Sequence, residues 1–305
     1  MRDVFINTLI DLAKENEKIV LLMAEVGYGV VEPFQQQFPK RFYNVGISEQ
    51  NLVLTAAGMA IQGYRPVAYS MSSFLPTRAF EMIKDSVCYQ NLPVTLVGIG
   101  SGVSYGKLGT THHAVEESAL MRVLPNMEVI FPADGDGCCA ALKYALQSDK
   151  PTYIGLEKMR SQVYNYNKKF SLQWEKVEYG KDAAIFACGN MFGVAIEAAE
   201  ALQKSGIAVC VYKVEVVKPL DYAAVEDACD TKNIFVLDEH SIICGIGAQI
   251  AEYIMSKGYQ RRINNFKTIA IPDEYPDKVW DEMNLRELYA LCSEKIVEEI
   301  RNHIA

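Results

Sequence analysis

The chain has 305 residues, half of them hydrophobic, enough for two domains and a sizeable core, which excludes a disordered or fibrous polypeptide. Thirty Lys and Arg against 38 Asp and Glu leave a net charge of −8, which argues against nucleic acid as the main partner and for a small molecule or another protein. The eight cysteines show no CxxC and no scaffold spacing, and Cys138 and Cys139 are adjacent, so they read as mostly buried, reduced thiols rather than zinc ligands or disulfides. The opening MRDVFINTLID carries Asp3 and Asp11 where a secretory leader would be apolar, and runs such as Ile19 to Ala24 are far too short to span a membrane. The expectation is a soluble, cytoplasmic protein.

Short β-branched runs alternate with helix-period stretches along the chain. Residues 19–26, 65–71, 93–100, 127–133 and 151–157 read as strands, with helices predicted over 48–63, 77–90 and 135–147. From 161 to 179 the pattern dissolves into a polar, aromatic, lysine-rich stretch that reads as a linker. It resumes with strands at 182–189, 208–217, 233–239 and 266–273 and helices near 191–205, after Gly245, and near 284–303. Such alternation predicts an α/β fold of two doubly wound domains, each a mostly parallel sheet covered on both faces, at 1–160 and 180–305.

Open α/β sheets bind ligands at the carboxyl ends of their strands, so polar and glycine residues just after each strand are the candidates. In VGISEQN (45–51), Ser48 is placed as an N-cap and Glu49 in the first helical turn, where a carboxylate also suits the helix dipole. A helix-capping acid and a functional carboxylate are both open at this point. Phe74, in a strand-to-helix turn, offers an aromatic face to a flat heterocycle or packs in the core. The loop GIGSGVSYGKLGTTHH (98–113) holds five glycines and ends in Thr111, His112 and His113, two of only four histidines in the chain. Imidazoles on a loop at the ligand edge can donate to substrate oxygens or move protons near neutral pH.

GISEQ before a helix, SSFLPTRAF, LGTTHH and MRVLPNMEVIFPAD together resemble the pyrimidine-binding domain of the transketolase family of thiamine-diphosphate enzymes. GKDAAIFACGN, VVKPLD and LDEHSIICGIGAQ resemble its carboxy-terminal domain. The resemblance spans nearly the whole chain and is to the split form, in which an amino-terminal and a carboxy-terminal subunit are separate polypeptides. It implies a transferase moving a two-carbon ketol unit from a ketose to an aldehyde. It also implies that Glu49 hydrogen-bonds the cofactor's aminopyrimidine, Phe74 stacks on that ring and Met71 lines the pocket. His112 would contact substrate oxygens, with His113 beside it, and Lys158 or Arg160 would bind a substrate phosphate. Leu108 stands where the family often has an Asp that reads a sugar hydroxyl, Gly155 where some relatives carry an Arg, and Cys244 replaces a glycine, which reads as a packing change.

Gly135-Asp136-Gly137 with Asn165 mimics the motif that holds magnesium and diphosphate, but it sits where the family begins an ordinary helix. Thiamine diphosphate would then be shared, its diphosphate and Mg2+ held by the amino-terminal partner in an α2β2 heterotetramer, with no metal ligands in this chain. Two alternatives stay open: the β subunit of a 2-oxoacid dehydrogenase, and a catalytically silent assembly subunit. The THH loop favours the transketolase reading over the first. Retention of Glu49, Phe74 and His112 favours it over the second.

Overall fold

The computed structural model describes residues 1–158, 170–178 and 180–304. The first half runs α1 (Arg2–Glu15), β1 (Ile19–Met23), α2 (Glu32–Gln37), β2 (Phe42–Asn44), α3 (Glu49–Ile61), β3 (Arg65–Met71), α4 (Leu75–Arg78), α5 (Phe80–Met82), β4 (Thr95–Ile99), α6 (Glu117–Arg122), β5 (Glu128–Ile130), α7 (Gly135–Gln147) and β6 (Thr152–Leu156). The second half runs β7 (Glu175–Glu178), β8 (Ala183–Cys188), α8 (Met191–Gln203), β9 (Val209–Val214), β10 (Val216–Lys218), α9 (Tyr222–Ala228), β11 (Asn233–Ser241), α10 (Ile246–Ser256), β12 (Asn265–Ile271), α11 (Glu282–Leu288) and α12 (Ser293–Ile304).

Two sheets result, a seven-stranded one in the order β10-β5-β6-β4-β3-β1-β2 and a five-stranded one in the order β12-β11-β8-β9-β7. Strands β1, β4, β6, β8 and β9 are buried at every residue, as a parallel sheet with helices on both faces requires, which is why they read as unbroken apolar runs. The α/β class is as expected. The second half also reaches into the first sheet: β10 pairs antiparallel with β5, Val216 opposite Ile130. Trp174 adds a tie by donating its indole N–H to the Val216 carbonyl at 2.7 Å.

Several elements differ from the sequence reading. The helix expected at 77–90 breaks into α4, α5 and a wider turn over Ile83–Cys88. The strand expected at 208–217 divides at Glu215, whose carboxylate accepts the Ala133 N–H at 2.9 Å and faces the Lys213 ammonium at 3.4 Å. The closing helix divides at Ala290, where φ is 57°. Helix α1 buries Phe5, Ile6, Leu9, Ile10 and Ala13 along one face, and β7, which pairs antiparallel with β9, forms inside the stretch read as linker.

Five cysteines are buried and none forms a disulfide. Among the described residues no helix is long and apolar enough to cross a membrane.

Candidate active site

In a doubly wound sheet the open crevice lies where the connections of two adjacent strands run in opposite directions. In the seven-stranded sheet that point falls between β1 and β3, and the segments leaving β1, β2, β3 and β4 gather along its edge. In the five-stranded sheet it falls between β8 and β11, and there the first half fills it: the Phe131 ring packs 4.4 Å from the His240 imidazole. The candidate site therefore belongs to the first sheet.

Glu49 opens α3 with its side chain only 3% exposed. Ser48 is the N-cap residue but makes no side-chain capping bond. The Glu49 carboxylate turns away from its own helix: Oε1 accepts the Ser70 hydroxyl at 3.2 Å, and Oε2 pairs with Arg78 Nη1 at 3.2 Å. The Arg78 guanidinium lies 4.0 Å over the Phe74 ring, and that ring meets the His112 imidazole edge-on with centroids 5.3 Å apart. Met71 ends β3 half-buried beside them. Glu49, Ser70, Phe74, Arg78 and His112 thus form one connected group. Sequence reading missed Arg78 and Ser70, although Arg78 lies inside the SSFLPTRAF motif. It also missed Glu25, which follows β1 at a φ of 50° and accepts the Asn44 amide at 2.6 Å.

The loop after β4 turns at Gly100, where φ is 87° and the Tyr105 ring packs so closely that a side chain would collide with it. Two backbone bonds close its far end: Ala114 N–H donates to Gly102 at 2.8 Å, and Ser241 N–H, from the second half, donates to Val115 at 2.9 Å. His112 Nδ1 lies 2.9 Å from the Thr111 hydroxyl. Burial pulls the His113 imidazole below its ordinary pKa, against the opposing pull of the Gly106 carbonyl and Glu116. Leu108 is exposed, and it lines a cavity of about 420 Å3 with Tyr105, Lys158 and the start of α11. The Lys158 ammonium sits 4.7 Å over the Tyr105 ring. Arg160 lies outside the described residues.

Two buried polar clusters, neither legible in the sequence, join the halves. In the first, His240 Nδ1 meets Asp238 at 2.7 Å, and Nε2 lies 3.3 Å from both Glu117 and Ser101. Burial opposes protonation of His240, but the charge and hydrogen bond of Asp238 outweigh it and raise the imidazole pKa well above its usual value. The order Ser101, His240, Asp238 imitates a nucleophile with its base and orienting acid. Every member is buried and the adjoining void is only about 10 Å3, so a substrate has no room there. In the second cluster, Arg286 of α11 pairs with Glu157 at 2.9 Å, with Glu282 at 3.0 Å and with Glu239. Burial, then the charge of Glu239, pushes the Glu282 carboxyl up to about 8. Glu157, Glu239 and Glu282 have the spacing of metal donors, as do Cys188, Asp238 and His240, but the first set converges on Arg286 and the second on an internal Asp–His hydrogen bond.

The family model described as "Transketolase, pyrimidine binding domain" matches residues 1–162. The chain belongs to the transketolase family. A second model, "Transketolase, C-terminal domain", matches residues 172–296 of this transketolase-family chain. It is 34% identical to 1-deoxy-D-xylulose-5-phosphate synthase of Aquifex aeolicus over 98% of its own length but 48% of that protein's, so it spans about half of that relative. It is 31% identical to one subunit of the apulose-4-phosphate transketolase of Actinobacillus succinogenes, covering 98% of this chain and 96% of the relative. A structure titled "Split gene transketolase, inactive beta4 tetramer" superposes with a TM-score of 0.88 at 32% identity, over 99% of this chain and 97% of the other.

Within this transketolase-family frame, Gly135-Asp136-Gly137 opens α7, with the Asp134 side chain accepting the Gly137 N–H at 2.7 Å. Asn165, the other part of that motif, lies outside the described residues. Gly155 leaves no room for an Arg: a Cβ there would lie 2.3 Å from the Phe131 ring. Cys244, read as a packing change, is instead exposed with φ at 59°, in the left-handed region that a glycine would occupy without strain.

Proposed function

We propose that this chain is the carboxy-terminal subunit of a split transketolase-like enzyme that transfers a two-carbon ketol unit from a ketose, a sugar phosphate, to an aldehyde. The observation that carries the reading is the convergence of Glu49, Phe74 and His112 at one strand-end crevice, with the carboxylate buried and the aromatic ring beside it. Those groups fit the aminopyrimidine of thiamine diphosphate: an acid for a ring nitrogen, an aromatic face for stacking, and Met71 as a wall. When bound, the cofactor supplies the carbanion chemistry. Glu49 holds the ring and moves a proton at its carboxylate oxygen, while His112 presents an imidazole to substrate oxygens.

His113, Leu108 and Lys158 or Arg160 are the proposed substrate contacts. The diphosphate and Mg2+ are assigned to an amino-terminal partner subunit in an α2β2 assembly in the cytoplasm, and the linker at 161–179 to the division between the two domains. The near full-length matches to the apulose-4-phosphate transketolase chain and to the split-gene structure support this arrangement. The likeness to 1-deoxy-D-xylulose-5-phosphate synthase favours a second reading, synthesis of a 1-deoxy sugar phosphate.

Co-production with a partner carrying the diphosphate-binding domain, followed by identification of products from ketose phosphate donors and, separately, from 2-oxoacid donors that lose CO2, each with an aldehyde phosphate acceptor, separates the two. Ketol transfer supports the first reading and a 1-deoxy product the second. Absence of both products from the assembled complex overturns both.

A further inference from the structure

Glu117, the first residue of α6, is 1% exposed and takes no part in the chemistry proposed above, yet four groups converge on its carboxylate. Oε1 accepts the Ser101 hydroxyl and the Gly102 N–H and lies 3.3 Å from His240 Nε2, while Oε2 accepts the Tyr153 hydroxyl. A carboxylate removed from water is costly unless its oxygens are filled in this way. His240 is fixed from its other side by Asp238 at 2.7 Å, and with its pKa raised both ring nitrogens carry protons, so the imidazolium donates to an acid at each end.

Two of the four donors begin the loop that presents His112. Ser101 and Gly102 follow the turn at Gly100, and the Gly102 carbonyl accepts the N–H of Ala114, two residues beyond His112, at 2.8 Å. Gly102 has a φ of 59°, and a Cβ there would lie 2.5 Å from the Glu239 carboxylate, so β11 of the second half packs directly on the base of the loop. A third donor leads to the opposite wall of the crevice: the Tyr153 hydroxyl lies 3.4 Å from that of Ser72, two residues before Phe74. At the tip, by contrast, the His112 imidazole reaches only its neighbour Thr111 and the edge of Phe74. An imidazole carried on such a loop is aimed by the loop's base, and misplacement by about 1 Å can cost roughly 10²-fold in rate.

We propose that Glu117, held by His240 of the second half, is a positioning residue that fixes the loop presenting His112 to substrate, an inference that rests on reading His112 as a substrate contact. The second half then acts on the site without touching substrate, through Asp238, His240 and Glu117 in turn.

The test compares Ser101→Ala and Glu117→Gln, by amide hydrogen exchange of the full chain and by kinetics of the assembled complex with whichever ketose phosphate or 2-oxoacid donor it turns over fastest. Ser101→Ala removes one hydroxyl and leaves the pair of Glu117 and His240 in place. It is expected to raise exchange across residues 102–114 by about threefold or more with β1 unchanged, and to lower kcat about tenfold with donor KM and the half-saturating thiamine diphosphate concentration within about twofold. In a His112→Ala background the same substitution changes kcat less than about twofold, because aim is irrelevant once the imidazole is gone. Glu117→Gln gives the same pattern with a larger loss; should that chain not fold, Ser101→Ala decides. Unchanged loop exchange, parental kcat in Ser101→Ala, or losses that multiply with that of His112→Ala overturn the proposal and leave the ketol-transfer reading standing. Parental kcat in His112→Ala alone removes the role given to His112, and the proposal with it.

Discussion

The Arg78 guanidinium pairs with the Glu49 carboxylate at 3.2 Å and lies 4.0 Å over the Phe74 ring, so one side chain makes both contacts proposed for the cofactor's pyrimidine. Arg78 is 47% exposed and can swing out, whereas Glu49 is locked at the start of α3. A half-exposed ion pair and a cation–π contact are together worth about 1 kcal/mol. Arg78→Ala is therefore expected to lower the thiamine diphosphate concentration that half-saturates the assembled enzyme roughly fivefold. A rise in that concentration would make Arg78 a ligand rather than a competitor.

The Arg286 cluster makes stability depend on pH. The Glu282 carboxyl, raised to about 8 in the fold from an ordinary 4.5, keeps a proton that the unfolded chain releases. Its contribution is complete below pH 4.5 and is lost as pH rises toward 8, with a slope of at most about 1.4 kcal/mol per pH unit. Glu282→Gln cannot release that proton, so its urea midpoint is expected to fall less than the parent's between pH 5.5 and 8.5. Parallel midpoint curves would remove Glu282 from the titration.

Substrate choice is the test of Leu108. A sugar hydroxyl buried against its apolar side chain would lose water without gaining a partner, at a cost of roughly 1–3 kcal/mol. The assembled enzyme is expected to work poorly on xylulose 5-phosphate and to prefer a donor modified near the bond to be cleaved, with Leu108→Asp shifting relative kcat/KM back. Equal use of xylulose 5-phosphate by the parent would remove Leu108 as a determinant.

The strands buried on both faces were legible because parallel pairing leaves them apolar throughout, and α7 because Asp134 caps a helix-period run. Helix α1 carries a readable face in Phe5, Ile6, Leu9 and Ile10, but nothing local says what that face covers. Strand β10 has three residues and acquires its meaning only from β5, far away in sequence. The same holds for the site. Glu49, Phe74 and His112 follow strands in recognisable motifs, whereas Arg78 reads as a solvated helix residue until the fold sets it over Phe74. Arg286 and Glu157 meet across 129 positions, a separation at which no local pattern survives.

Without its partner the chain offers only the pyrimidine end of the proposed cofactor site, and much of the binding energy for a diphosphate should reside at the charged end. Calorimetry of the purified chain is expected to show weak or no thiamine diphosphate binding. Tight, magnesium-dependent binding would return Gly135-Asp136-Gly137 to consideration.

Turnover of the assembled complex carrying Glu49→Gln decides whether this buried carboxylate acts in catalysis. Gln preserves size and hydrogen bonding but supplies neither the carboxylate's charge nor an exchangeable proton. A loss on the order of 10²-fold or more in kcat is expected, with the melting transition little changed. Near-normal turnover would contradict it and leave Glu49 as a structural acid at the start of α3.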